Sequence, residues 1–329
     1  MSKKLLSTNS FRVIFLALTI GFFGCGNQAA RTTFTQTDTQ VNENLPKVVA
    51  TTSILCDLTK QVAGNTVNLT CLIDPSADPR VYKPKPEDRR AIEQANLILY
   101  SGYNLEPNLI KLIKATKNPV PKIAVGQLAV SKPQQFKKGF KNVIEPHVWH
   151  NAKNAIRMVQ VINSNLKKLE SRDADTYTSN TKKVTNELTQ LDSWIKSRIA
   201  SIPPKERKLV TTSDALIYYA KAYGIPLTGE LQGISTGEKT GLREKNLVTN
   251  IQQSTVSTIF TEAAINPNSL QSLAREASVK ISARKLYTEG LGEPGSEAET
   301  YQKMMIANTR TIVEGLGGTY LMFQVKAAK

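Results

Sequence analysis

Histidine is nearly absent from this chain: two residues in 329, His147 and His150, both inside the segment Glu145-Pro146-His147-Val148-Trp149-His150-Asn151. The shortage leaves only two imidazoles for catalysis or metal binding. The sequence offers no Ser–His–acid set, no Cys–His pairing and no glycine-rich loop to cradle phosphate, so it does not read as an enzyme. A zinc hydrolase would need three good ligands plus an open position, which so few histidines hardly supply. No internal apolar run is long enough to span a bilayer. Acidic residues are also in deficit, 27 against 43 Lys and Arg. The basic residues are scattered among the acids, with no aromatic-interleaved basic patch, so they read as solvated surface and no nucleic-acid partner is expected.

Cysteine is as scarce, with three residues. Cys25 closes a leader. Lys3, Lys4 and Arg12 give it a positive start, and Val13 to Phe23 is apolar but too short to cross a membrane. The leader ends on Phe22-Phe23-Gly24-Cys25, which resembles a bacterial lipoprotein signal, with a small residue before a cysteine that is acylated and becomes the new N-terminus. Removing 1–25 leaves 40 basic against 27 acidic residues, a net charge of +13. Residues 26–46, rich in Thr, Gln and Asn, read as a flexible tether. The mature protein is thus expected outside the cytoplasmic membrane, held by lipid and monomeric. Cys56 and Cys71 remain. Cys56 falls on a helix and Cys71 on the next strand, so they either form a disulfide or fill the core as small free residues.

What is present is an internal echo. Lys47-Val48-Val49-Ala50-Thr51-Thr52-Ser53 leads into a helix that ends at Gly64. Lys208-Leu209-Val210-Thr211-Thr212-Ser213 leads into another that ends at Gly224. Each reads as a short buried strand, a Ser N-cap, an amphipathic helix and a stopping glycine. Downstream, Asn96 to Tyr100 with Asn104 to Pro107 is answered by Thr258 to Phe260 with Ile265 to Pro267. Strand and helix alternate from Lys47 onward: Val67 to Leu72, Pro86 to Ala95, Leu97 to Tyr100, Ile123 to Val125. That alternation predicts parallel sheets covered on both faces. Pro133 to Lys141 and Gln232 to Lys245 read as loops, and Asn151 to Leu169 as a helix. Asp173 to Ile199 lacks Gly and Pro and places Tyr177, Val184, Leu188, Leu191 and Ile195 on one stripe, predicting a long helix that stops before Pro203-Pro204. The divisions are 47–172 for an N-terminal α/β lobe, 173–200 for the connecting helix and 201–329 for a C-terminal lobe, with ligand in the cleft between the lobes.

Several strings jointly point to a family. They are Asp74-Pro75-Ser76-Ala77-Asp78-Pro79-Arg80-Val81-Tyr82-Lys83-Pro84-Lys85-Pro86-Glu87-Asp88, Asn104-Leu105-Glu106, Pro146-His147-Val148-Trp149, Thr261-Glu262, and Leu286-Tyr287-Thr288-Glu289-Gly290-Leu291-Gly292. In this order and spacing the chain resembles the zinc/manganese substrate-binding lipoproteins of ABC importers. The resemblance implies two pseudo-symmetric α/β lobes joined by a rigid helix, the metal-binding helical-backbone type of periplasmic binding protein. It also implies an ABC permease as partner and Zn or Mn as transported ligand. It places the metal at Arg80, where the family has His, at His147, at Ser213, where it has His or Glu, and at the acidic Glu289.

Arg80 is a departure with consequences. A guanidinium stays protonated and has no lone pair for a metal. Near a divalent ion it repels, by about 4 kcal/mol per charge product at ~4 Å and an effective dielectric of ~20. Three arrangements fit. His147, Glu289 and Asp214 hold the metal, with His150 as a further ligand. Or Arg80 pairs internally with Glu289 and closes the cleft without metal. Or Arg80 draws an anion or a metal chelate. Against these stands a paralogue that no longer binds bare metal and serves as a structural or adhesive surface lipoprotein. Ser213 also reads as a helix cap, and Asp214 as an acid favoured by the helix dipole.

Overall fold

The computed structural model describes residues 44–138, 141–211, 214–230, 248–253, 256–262 and 268–326. Cys25, the leader, most of the tether, Ser213, the segment 232–245 and the Asn266-Pro267 pair lie outside the described residues.

In the N-terminal lobe β1 (Lys47–Ala50), β2 (Asn68–Cys71), β3 (Leu97–Tyr100) and β4 (Lys122–Ala124) form one parallel sheet in the order β2-β1-β3-β4. Val48, Val49, Ala50, Leu97, Ile98 and Leu99 are buried, as unbroken apolar strands must be when helices cover both faces. Those covers include α1 (Ser53–Ala63), α2 (Pro86–Gln94) and α3 (Pro107–Ala115). In the C-terminal lobe β7 (Leu209–Thr211) pairs in parallel with β8 (Leu227–Glu230), and β9 (Thr258–Ile259) with β10 (Lys280–Ile281). The Phe260 amide donates to the Val210 carbonyl at 3.1 Å and links the two pairs. The resulting succession, β8-β7-β9-β10, repeats the order of the first sheet, so the echo in the sequence is an echo of topology.

Local readings needed correcting in four places. The cap of α1 is Thr52, whose side chain accepts from the Leu55 amide at 3.4 Å, and Ser53 is the first helical residue. The predicted strand from Ile123 ends at Ala124, because Val125 opens the short helix α4 (Val125–Ala129). The expected basic loop is a hairpin, with β5 (Gln135–Lys138) antiparallel to β6 (Lys141–Ile144). Cross-strand pairing overrode the Lys and Gly content that suggested a loop. The second echoed helix is split: Asp214–Leu216 is a 3-10 turn and α7 (Ile217–Tyr223) follows, stopped by Gly224 in the left-handed region at φ 68°.

Helix α5 (Ala152–Leu169) begins one residue inside the expected start, is capped by Asn151 and packs on α6 (Ala174–Ala200). At 27 residues α6 is about 40 Å long. Tyr177, Val184, Leu188, Leu191, Ile195 and Ile199 form its buried stripe. The main core runs without interruption from Leu55 and Leu58 of α1 through this stripe to Tyr219, Tyr301 and Met305 of the second lobe. Polar links add to it: Asn180 Nδ2 donates to the Val62 carbonyl at 3.0 Å, and Gln302 Nε2 to Glu187 at 3.1 Å. A continuous close-packed core resists large hinge opening, because separating the lobes would expose it. Among the described residues no helix is long and apolar enough to cross a membrane.

Candidate metal-binding cleft

Parallel strands deliver their following loops to one edge, and in open α/β sheets that edge carries the ligand site. The loop after β2 brings Asp78 and Arg80. The segment after β9 brings Glu262, and the one after β10 brings Thr288 and Glu289. Asp214 follows β7 and is buried. His147 comes from the stretch after β6, as the residue before a 3-10 turn, Val148–His150, whose Trp149 is sealed in the core.

His147 and Glu289 meet although 142 positions apart: His147 Nε2 lies 3.0 Å from Glu289 Oε2. The other ring nitrogen, Nδ1, contacts Glu145 Oε1, which also accepts the His147 amide at 2.9 Å. All three side chains are at most 4% exposed. Burial works against a charge on the imidazole, but the carboxylates of Glu289 and Glu145 outweigh it, and the pKa is pushed up from 6.5 to about 10. His147 is therefore an imidazolium donating to a carboxylate on each edge.

Arg80 is the second cation. Its Nη2 lies 2.7 Å from Glu289 Oε1, and Asp78 holds the same guanidinium through Nε at 3.0 Å and Nη2 at 2.9 Å. The contact with Glu289 is a charge pair and not an aligned hydrogen bond, since Oε1 accepts none among the described residues. Burial opposes the charge on Arg80, but the Asp78 hydrogen bonds and the Glu289 and Glu262 carboxylates hold it firmly protonated. The internal pairing of Arg80 with Glu289, one of the arrangements open to the sequence, is thus present.

The Glu289 loop is stapled to the first lobe on either side of the carboxylate. His150 Nε2 donates to the Thr288 carbonyl at 2.9 Å. Burial pushes the His150 pKa down to about 3, so this ring is neutral and acts as a buttress. Thr288 Oγ1 donates to Glu262 Oε2 at 2.6 Å. Leu291 closes the far side: its amide donates to Ser53 Oγ at 3.0 Å, and its carbonyl accepts from the Ser76 amide at 2.8 Å. Released from capping, the Ser53 hydroxyl serves as a bolt between lobes. Gly290 is needed for that approach, since a Cβ there would stand 2.7 Å from Ser53 Oγ.

Among the described residues no three His, Cys, Asp or Glu side chains are disposed to hold a metal ion. The reason is geometric: the two carboxylates lie on opposite edges of one imidazole ring, and the donors are turned toward protons and a guanidinium. Sequence reasoning singled out His147, Glu289, Asp214, Arg80, Ser213 and His150; the structure gathers His147, Glu289, Arg80 and His150, buries Asp214 just after β7, and leaves Ser213 outside the described residues. It did not single out Asp78, Glu145 or Glu262. The only signals for them were their places inside the quoted strings, two residues from Arg80, two from His147 and next to Thr261.

A family profile described as zinc-uptake complex component A, periplasmic (ZnuA), matches residues 48–315. The chain belongs to the ZnuA family. Members are substrate-binding proteins of ABC transporters and not enzymes. Two curated relatives are the metal ABC transporter substrate-binding lipoprotein ScbA of Streptococcus cristatus and the manganese-binding lipoprotein MntA of Bacillus subtilis. ScbA is 30% identical over 93% of this chain and 98% of its own length. MntA is 31% identical over 92% and 97%. Among solved structures, the periplasmic zinc binding protein TroA of Treponema pallidum superposes with a TM-score of 0.76 at 28% identity, covering 83% of this chain and 99% of that one. The ZnuA assignment and the TroA likeness agree with the α/β lobes, parallel sheets and long helix described above.

Proposed function

We propose that this chain captures a transition-metal ion of the zinc or manganese class between its lobes and hands it to an ABC permease. It is an extracytoplasmic protein held at the membrane by lipid, and we assign the anchor to Cys25. We divide it into a leader (1–25), a tether (26–46), the first lobe (47–172), the connecting helix (173–200) and the second lobe (201–329), acting as a monomer. His147 and Glu289 are the cargo contacts. Asp214, in the 3-10 turn that follows β7, supplies a further carboxylate, with Ser213 next to it in sequence.

The observation that carries this reading is the meeting of His147 Nε2 and Glu289 Oε2 at 3.0 Å between the lobes, with both side chains sealed from water. A buried imidazole whose far nitrogen is fixed by a carboxylate, here Glu145, is the arrangement that raises the basicity of a metal ligand. Loss of one proton and retreat of one guanidinium would leave Nε2 and both Glu289 oxygens for a cation. The test is calorimetric titration of chelator-treated protein with zinc and manganese. A binding heat that His147→Ala abolishes supports the reading, and silence toward both metals refutes it.

One observation favours a second reading, in which the chain no longer takes bare metal and is an anion or chelate binder, or a structural or adhesive surface lipoprotein: Arg80 already neutralises Glu289. The charge count among the described residues speaks against an anion. There Asp78, Glu145, Glu262 and Glu289 surround two cations, so an incoming anion would meet an excess of carboxylate.

A further inference from the structure

We infer that Arg80 is a built-in competitor for the cargo: its guanidinium takes the cation position on Glu289, and it must retreat onto Asp78 before a divalent ion can use both Glu289 oxygens. This rests on reading His147 and Glu289 as the cargo contacts, and it sets the affinity of that same site.

Three features of the geometry carry it. Glu289 is 4% exposed and each of its oxygens faces one cation, His147 Nε2 on Oε2 and Arg80 Nη2 on Oε1. Among the described residues Oε1 receives no aligned hydrogen bond and is compensated by the charge of Arg80. A divalent ion would replace that contact with a stronger one. The second feature is the retreat. Asp78 grips the guanidinium through Nε and Nη2, and its Oδ1 also accepts the Arg80 amide at 2.8 Å. Arg80 can therefore leave Glu289 with its charge still paired on its own loop. The third is access: the Arg80 side chain is 42% exposed, so the swing leads toward water and not through packed core. The fields of Glu289 and Glu262 both act on the guanidinium where it now stands.

The alternative is a strut, in which Arg80 ties the two lobes together and favours capture. The two roles predict opposite signs. A competitor that is removed leaves metal bound more tightly; a strut that is removed leaves it bound more weakly.

The experiment is titration of the full-length lipoprotein in detergent with zinc chloride and with manganese chloride, comparing the parent with Arg80→Gln, Arg80→Lys and Asp78→Asn. Thermal melts of each variant without metal establish that it folds. Arg80→Gln keeps length and polarity but removes the charge, and it is expected to bind about tenfold to a thousandfold more tightly, as relief of like-charge repulsion discounted for partial exposure would give. Arg80→Lys keeps the charge and stays near the parent. Asp78→Asn removes the place of retreat and binds more weakly than the parent. If Arg80→Gln binds as the parent does or more weakly while the parent binds metal, the competitor is refuted and the cargo reading stands. If neither the parent nor Arg80→Gln binds either metal, both fall together.

Discussion

The charge on His147 makes a measurable claim about the metal-free cleft. Burial alone would strip the proton from this ring, and the carboxylates of Glu289 and Glu145 reverse that, holding its pKa at about 10 against 6.5 in an unfolded chain. The sign follows from the direction of the shift. A folded-state pKa above the unfolded one gives stability that is fully present below pH 6.5 and is lost as pH rises through about 10. A gap of this width corresponds to about 5 kcal/mol at its limit. About 2 kcal/mol of it should be gone by about pH 8, where the unfolded imidazole is neutral and the folded one still charged, and about 4 kcal/mol by about pH 9.5. Urea unfolding in the presence of chelator, on the parent and on His147→Gln, isolates the titration of the His147 cluster, because groups that do not touch His147 cancel in the difference. The stability advantage of the parent should shrink along that course. A difference that stays flat from about pH 6 to about pH 9.5 would show a neutral imidazole and refute the account of the cleft as two cations among carboxylates.

The same proton must leave when metal takes Nε2, so titration near neutral pH in two buffers of different ionisation heat should register release of about one proton per metal bound. Zero release would mean that Nε2 is not a ligand. Cys56 and Cys71 are joined, with Cα atoms 5.7 Å apart and a sequence separation of 15. Replacing both with Ser should cost about 3 kcal/mol in urea unfolding, the chain-entropy value for a loop of that size. Reductant should then have no further effect; an unchanged midpoint in the double variant would sink the claim. Gly126→Ala would place a Cβ 2.7 Å from the Ser101 carbonyl oxygen, which is backbone and cannot swing aside. It should destabilise by about 1–3 kcal/mol, and a neutral result would show that the turn after β4 relaxes easily.

Much of the architecture was legible because its causes are local. The buried runs Val48-Val49-Ala50 and Leu97-Ile98-Leu99 declare strands covered on both faces. The stripe from Tyr177 to Ile195 declares a helix, and Gly64, Gly224 and Asn151 mark ends and a start where those residue types are cheap in free energy. Readings that depended on a neighbour failed or stayed open. Ser53 looks like a cap in isolation, but Thr52 does that work, and the Ser53 hydroxyl is committed to Leu291, 238 positions away. The hairpin of β5 and β6 needed pairing to outweigh composition.

The candidate site divides in the same way. By itself the sequence determined which chemical groups are available: two imidazoles, a guanidinium without a lone pair, and an acid at position 289, placed in loops that follow parallel strands. Only the tertiary structure decided that Glu289 is shared between His147 and Arg80, that Asp78 offers Arg80 a second carboxylate, and that Glu145 and Glu262 complete the charge balance. The reason is physical. Side-chain type and periodicity act over a few residues of chain, whereas the pairing of charges is set by distances of about 3 Å between loops that only the packing of two lobes brings together.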